Sequence, residues 1–329
     1  MFYLGIDVAK AKIDCCLILE NSESKKKTKT FSNMPKGFEQ LQTWLNHHAA
    51  NSTQTIILME ATSIYHERLA KYLFDAGYQV CVTNPARARY FAQSMSKLNK
   101  TDKADSEVLA RFAMTADLHF WQPLPEHIQL LNALLDRRAV LCEDLQREKN
   151  RLEKAESTFT IEPVLQSIHK SIKQLNKHIQ DIDQQIDDHI DQNPDLKNDK
   201  ELLSSIPAIA DRTSLLMLSF LRSHNFERAS QAAAFVGLVP IQKQSGSSIH
   251  GRSRLSKAGS SKIRAGLYMA AIVATRHNPH IKEMNERLLA NGKTKMMAIG
   301  AAMRKLVHLC YGVLKHQQPY QENYCINSQ

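Results

Sequence analysis

The chain has 329 residues, 43% hydrophobic and 23% charged, a balance that excludes a disordered or fibrous protein and supplies enough apolar surface for about two domains. Its formal net charge of +10 points to an anionic partner, nucleic acid ahead of a membrane surface, because basic surface attracts phosphate and releases its counterions. The start MFYLGIDVAK lacks the order of a signal peptide, and no uninterrupted apolar run approaches the ~20 residues of a membrane span; a cytoplasmic protein with no membrane contact is expected.

The first ~118 residues alternate strand and helix signals. Tyr3 to Val8 and Ile13 to Leu19 are β-rich runs joined by AKAK, and Lys25 to Phe31 alternates as a third strand on a sheet edge. Three consecutive strands suggest an antiparallel meander. Pro35 opens a helix with Phe38, Leu41, Trp44 and Leu45 at helical spacing, and Thr55 to Met59 reads as a buried strand ending at Glu60. A second helix is expected from about Ile64 to Ala76, stopped by Gly77, then a strand from Tyr78 to Val82 ended by Asn84-Pro85. The order βββαβαβ, followed by helices, is with a parallel second half that of an α/β ribonuclease H-like domain over residues 1–118.

Residues 119–197 change to long helices. Ile168, Ile172, Leu175, Ile179, Ile182 and Ile186 keep a strict seven-residue repeat, and Leu134, Leu141, Leu145 and Leu152 recur upstream. This predicts a helical coiled-coil hairpin turning near Thr160 to Pro163 and ended by Asn193-Pro194; an intramolecular pair is favoured, with a dimer through the same region as the alternative. Residues 198–316 read as a mainly α C-terminal domain, with core helices around Leu215 to Leu221, Tyr268 to Thr275 and Met296 to Leu314, and residues 317–329 as a polar tail. The six cysteines form no C-x-x-C pair and the histidines lack ligand spacing, which argues against disulfides and structural zinc.

Four acids stand out. Asp7 interrupts an apolar first strand, where an uncompensated carboxylate is costly. Glu60 ends a later strand, and Asp102 and Asp105 in KTDKAD open the helix Ser106 to Met114, their i, i+3 spacing putting both on one face. Singly, Asp102 could simply favour a helix start and Glu60 could be a surface acid. Converged, the four would repel one another unless cations neutralise them, and oxygen-rich sites select Mg2+ or Mn2+, expected as two ions for phosphodiester displacement.

Between Arg228 and Lys282 lie nine Lys/Arg and no Asp or Glu. Within this stretch, QKQSGSSIHGRSRLSKAGSSKIRAGL offers hydroxyls and cations to phosphate, with Lys243, Arg252, Arg254, Lys257, Lys262 and Arg264 as candidate backbone contacts. On physical grounds alone it reads as a DNA-tracking loop, because no local Asp-His pair activates a serine. Upstream, SSIPAIADRTSLLML is similar to a DNA-backbone hairpin between two helices, with Ala208 and Ala210 where such hairpins carry glycine.

GIDVAK, the strand-end MEAT, KTDKADSEVLA, GLVP, QSG and GRSRLSKAGSSKIR together resemble, over nearly the whole chain, the DEDD-type insertion-sequence transposases of the IS110 family and the related Piv site-specific DNA invertases. The resemblance implies a RuvC-like domain whose acids match Asp7, Glu60, Asp102 and Asp105, and a C-terminal serine transposase domain whose nucleophile matches Ser245, with Ser247, Ser248 and Ser253 as near alternatives. It further implies a phosphoserine intermediate, a DNA substrate, a homo-oligomer (dimer or tetramer) and, in some members, a structured guide RNA encoded by the element. The competing expectations are a junction-resolving nuclease using water, an actin-like sugar kinase, which would need a second Gly-rich phosphate loop, and a non-catalytic nucleic-acid binder.

Overall fold

A computed structural model describes residues 1–19, 22–61, 64–95, 102–115, 117–159, 161–241, 244–245, 249–250 and 254–322. The chain divides into two compact units, Met1–Pro123 and Leu124–Gln329.

In the first unit, strands β1 (Phe2–Val8), β2 (Lys12–Leu19), β3 (Ser22–Ser32), β4 (Thr55–Glu60) and β5 (Gln79–Thr83) form one mixed sheet in the order β3-β2-β1-β4-β5. The meander β1-β2-β3 is antiparallel, whereas β4 runs parallel to β1 and β5 parallel to β4. Alternation sorts the strand side chains between two layers of helices. Leu4, Ile6, Ile13, Cys15, Ile57 and Met59 are buried with Phe38, Leu41 and Leu45 of α1 (Pro35–His47) and Leu69 and Leu73 of α2 (Glu67–Asp75). Tyr3 and Leu58 point the other way and, with Ala88 of α3 (Pro85–Ser94), meet Leu109 and Phe112 of α4 (Asp102–Thr115). Cys16 and Ile18 of β2 bury against Ala110 of the same helix. Helix α2 starts at Glu67 rather than near Ile64, whose side chain is 68% exposed and finds no core to pack against, while Glu67 puts an acid in the first turn.

The second unit opens with two 31-residue helices, α5 (Glu126–Glu156) and α6 (Glu162–Gln192), which pack on each other as a hairpin. Arg138 of α5 forks onto both oxygens of Asp183 on α6. At the base of the hairpin Ile128, Leu131, Ile186 and Ile190 join the main core; farther out Ile168, Ile172, Leu175 and Ile179 are half-buried, as a two-helix seam leaves them. Among the described residues there follow α7 (Pro194–Ser204), α8 (Asp211–Arg222), α9 (Ala229–Phe235), α10 (Ser261–His277), α11 (Pro279–Ala290) and α12 (Lys295–His316), with the two-residue strands β6 (Pro240–Ile241), β7 (Gln244–Ser245), β8 (Ile249–His250) and β9 (Arg254–Leu255).

Leu218 and Phe220 of α8, Ala232 and Val236 at α9, Leu267 and Ala271 of α10, and Leu306 and Val307 of α12 make one core. Among the described residues α12 is long and apolar enough to cross a membrane, in spite of the expectation that no segment would be, because Arg304 and Lys305 interrupt its apolar run without lowering its mean hydropathy far enough. It serves here as a core helix, with Ala302, Leu306, Val307 and Cys310 fully buried. Of the described cysteines, Cys15, Cys16, Cys81 and Cys310 are buried and reduced, and burial pushes the Cys81 and Cys310 thiols up to about 12.

Candidate active site

Asp7 is the penultimate residue of β1. Ile6 lies opposite Met59 in the parallel ladder, so the next pair along, Asp7 and Glu60, sits side by side where two neighbouring strands end. Both side chains are half-buried. By alternation Asp7 shares a face with Tyr3 and Gly5, and Glu60 shares one with Leu58, which is the face that α4 covers.

How α4 reaches that face is set by Gly5. A Cβ there would stand 2.0 Å from the Ser106 carbonyl oxygen and 2.3 Å from the Ala110 nitrogen, so the helix crosses β1 backbone to backbone. Asp105, half-buried, precedes Ser106 at this crossing, and Asp7 is two residues beyond Gly5. Asp102 opens α4, three residues before Asp105 on the same helical face; its side chain lies outside the described residues.

Two further acids line this side of the sheet and were missed in the sequence. Asp14 of β2 is the cross-strand partner of Asp7 and only 5% exposed; it accepts a 2.5 Å hydrogen bond from the Thr30 hydroxyl and pairs with Lys12 at 3.0 Å. Glu107 is 8% exposed, paired with the Lys26 ammonium at 2.6 Å and Arg111 at 3.1 Å. The signal that betrays Asp7, an acid in an apolar strand, is present at Asp14 too. Among the described residues no three His, Cys, Asp or Glu side chains stand close enough together to hold a metal ion. The donor chemistry of Asp7, Glu60 and Asp105, carboxylate oxygens only, nevertheless suits a hard divalent cation.

In the second unit the basic serine segment, expected as a loop, is a small two-rung excursion that passes into a helix. β6 pairs with β9, and nested within them β7 pairs with β8, Ser245 opposite Ile249. Ser245 thus takes its place by backbone next to the tip. Its side chain and residues Lys243, Ser247, Ser248, Arg252 and Ser253 lie outside the described residues.

The base of this excursion is clamped. Gly237 and Gly259 have φ of 80° and 110°, and a Cβ on either would strike the opposing backbone, at 2.3 Å from the Ala258 carbonyl oxygen and 1.9 Å from that of Phe235. Arg264 donates to the carbonyls of Val236 and Gly259 at 2.9 and 3.0 Å, and Lys262 pairs with Asp136 at 2.5 Å. Both lie on α10, which begins at Ser261 with the Ser260 hydroxyl accepting from the Ile263 amide, seven residues before the helix expected from the apolar pattern. Arg254 and Lys257 are exposed at the foot of the excursion. Between α7 and α8, Ala208 adopts φ 82°, the left-handed conformation for which such hairpins use glycine.

Comparison with known proteins bears on both units. Residues 4–158 match the family model for DEDD transposases of the IS110 type, described as "Transposase", and residues 200–286 match the transposase IS116/IS110/IS902 family. Over 322 residues the chain is 32% identical to the pilin gene-inverting protein of Moraxella bovis, covering 97% of this chain and 98% of that one. The chain belongs to the IS110 transposase family. The corresponding protein of Moraxella lacunata is also 32% identical over 322 residues, and the insertion element IS110 uncharacterized 43.6 kDa protein of Streptomyces coelicolor is 26% identical over 121 residues, 36% of this chain and 30% of that one. As an IS110-family transposase this protein is an enzyme acting on DNA, of the DEDD type that generally uses divalent metal ions.

Proposed function

We propose that this IS110-family protein cuts and rejoins DNA strands by Mg2+- or Mn2+-dependent phosphodiester transfer, with Asp7, Glu60, Asp102 and Asp105 holding the cations and Ser245 acting as nucleophile. The observation that carries the reading is the position of Asp7 and Glu60, each one residue beyond the Ile6–Met59 pair at the ends of adjacent parallel strands, on the face that α4 crosses with Asp105 beside the crossing. The sheet order β3-β2-β1-β4-β5, antiparallel in its first half and parallel in its second, supports a ribonuclease H-like description of residues 1–118. On the same reading, residues 119–197 are the coiled-coil hairpin and residues 198–316 the serine transposase domain.

Bound divalent ions would lower the charge on the attacked phosphate and on the oxygens that enter and leave it. The chain's own groups divide the remaining work. The Ser245 oxygen displaces one ester oxygen at phosphorus; the proton that serine loses ends on the departing sugar hydroxyl, leaving the DNA joined to the protein. A hydroxyl of a second strand reverses the step, returns the proton to Ser245 and completes the exchange. Arg254 and Lys257, with Lys243 and Arg252, hold the DNA backbone beside the nucleophile, while Arg264 and Lys262 brace the segment that carries it.

The inversion of DNA named for the Moraxella relatives supports the same chemistry here, with inversion or transposition as the outcome. Assembly as a homo-oligomer on two DNA segments, action at the nucleoid and dependence on a structured guide RNA belong to this proposal as extensions. The test is a denaturation-resistant protein–DNA adduct formed with divalent metal and abolished in Ser245→Ala. Cleavage without any adduct would favour a nuclease that uses water.

A further inference from the structure

From Lys25 to Phe38 the chain carries five lysines (Lys25, Lys26, Lys27, Lys29 and Lys36) and no Asp or Glu. Most of them fall on β3, the edge of the sheet, where alternation parts them. Lys26 turns toward α4 and pairs with Glu107 at 2.6 Å. Lys27 and Lys29 fall on the opposite face, both exposed and about 6.6 Å apart along the strand.

On that face a chain of rings runs from β3 to the C-terminal end of α1. The Lys29 ammonium is 5.3 Å from the centre of the Phe31 ring, Phe31 meets Trp44 edge-on at 5.8 Å, Trp44 meets His48 at 5.1 Å, and His48 meets His47 at 5.2 Å. Burial first, and then the neighbouring His47, Lys27 and Lys29, hold the His48 imidazole below the usual histidine range. Helix α1 contributes a single acid, Glu39. Edge lysines by themselves guard a strand against pairing with another chain, but that role does not account for the two histidines that end α1 beside them.

We propose that Lys27 and Lys29 of β3, with His47 and His48 at the C-terminal end of α1, form a second contact surface for the DNA phosphodiester backbone, on the face of the sheet opposite the carboxylates. This rests on the reading of the protein as a DNA strand-transfer enzyme, and charge complementarity names the occupant: two lysines in register on a strand, flanked by imidazoles, fit successive phosphates of one DNA strand.

The test measures binding of the full-length protein to a DNA duplex across a salt series. Reversing both charges, Lys27→Glu with Lys29→Glu, should weaken binding at least about tenfold near physiological salt and make the slope of log K against log salt shallower by about 2, since each lost phosphate contact removes about 0.9. Should the reversed pair melt early, the neutral pair Lys27→Gln with Lys29→Gln carries the test, with the same change of slope. Arg68→Glu with Lys71→Glu on α2, an equal change in net charge, should leave the slope near that of the native chain. Unchanged slope in the β3 variants, an equal loss from the α2 pair, or a loss seen with an RNA duplex and not with DNA would overturn the inference. A native protein that binds no DNA would fail the functional reading itself, a separate outcome from a native protein that binds and β3 variants that bind as well.

Discussion

Gly5 has no room for a side chain, because the backbone of α4 occupies the volume that a methyl group would take. Alanine there must push the helix off the sheet or distort β1. The expected cost for Gly5→Ala is about 3 kcal/mol, at the upper end for overpacking, read as a lower urea midpoint with unchanged m-value, and activity should fall with it because the crossing positions Asp105. Ala208 is the reverse case, an alanine held at φ 82°. Its strain of ~1–2 kcal/mol outweighs the extra chain entropy of glycine, so Ala208→Gly should raise stability by about 1 kcal/mol, a gain of a few degrees in Tm. A Tm that falls instead would mean that the hairpin is not in the left-handed conformation.

At the scale of elements, the sequence carried most of the first unit because strand alternation and helix spacing are local signals. Asp7 was visible as an acid in an apolar run, and the end of β4 at Glu60 followed from the run Thr55 to Met59. The closeness of Asp7 and Glu60 was not visible, since it depends on the register of β1 with β4, a contact across some fifty residues of chain. Asp14 carries the same local signal, an acid in an apolar run, but only the pairing of β1 with β2 sets it opposite Asp7. The seven-residue repeat gave the α5–α6 hairpin, its turn between Glu156 and Glu162 falling where Pro163 leads into α6. The basic segment misled. Serines, glycines and cations read as loop, whereas Ser260 starts α10 as a cap and carries Lys262 and Arg264 into a helix, where they serve as a surface ion pair and a backbone brace. Composition tells charge from apolarity, but it does not show which cations also brace the fold.

For the molecule as a whole, family membership shows an enzyme acting on DNA, and the proposed function gives each unit a part in its chemistry. The surplus of ten positive charges is spread over both, at the edge of β3 in the first and at the foot of the Ser245 excursion in the second, so on that proposal DNA affinity should survive the loss of any single one of the four acids. That separation of binding from reaction is what makes the account testable. The most direct measurement is strand exchange on a supercoiled plasmid bearing the element's ends, with Mg2+ or Mn2+ present, comparing the native chain with Asp7→Asn, which keeps the shape of the side chain and removes its charge. The account predicts that DNA binding persists while recombined product disappears; product formed by Asp7→Asn at the native rate would contradict it.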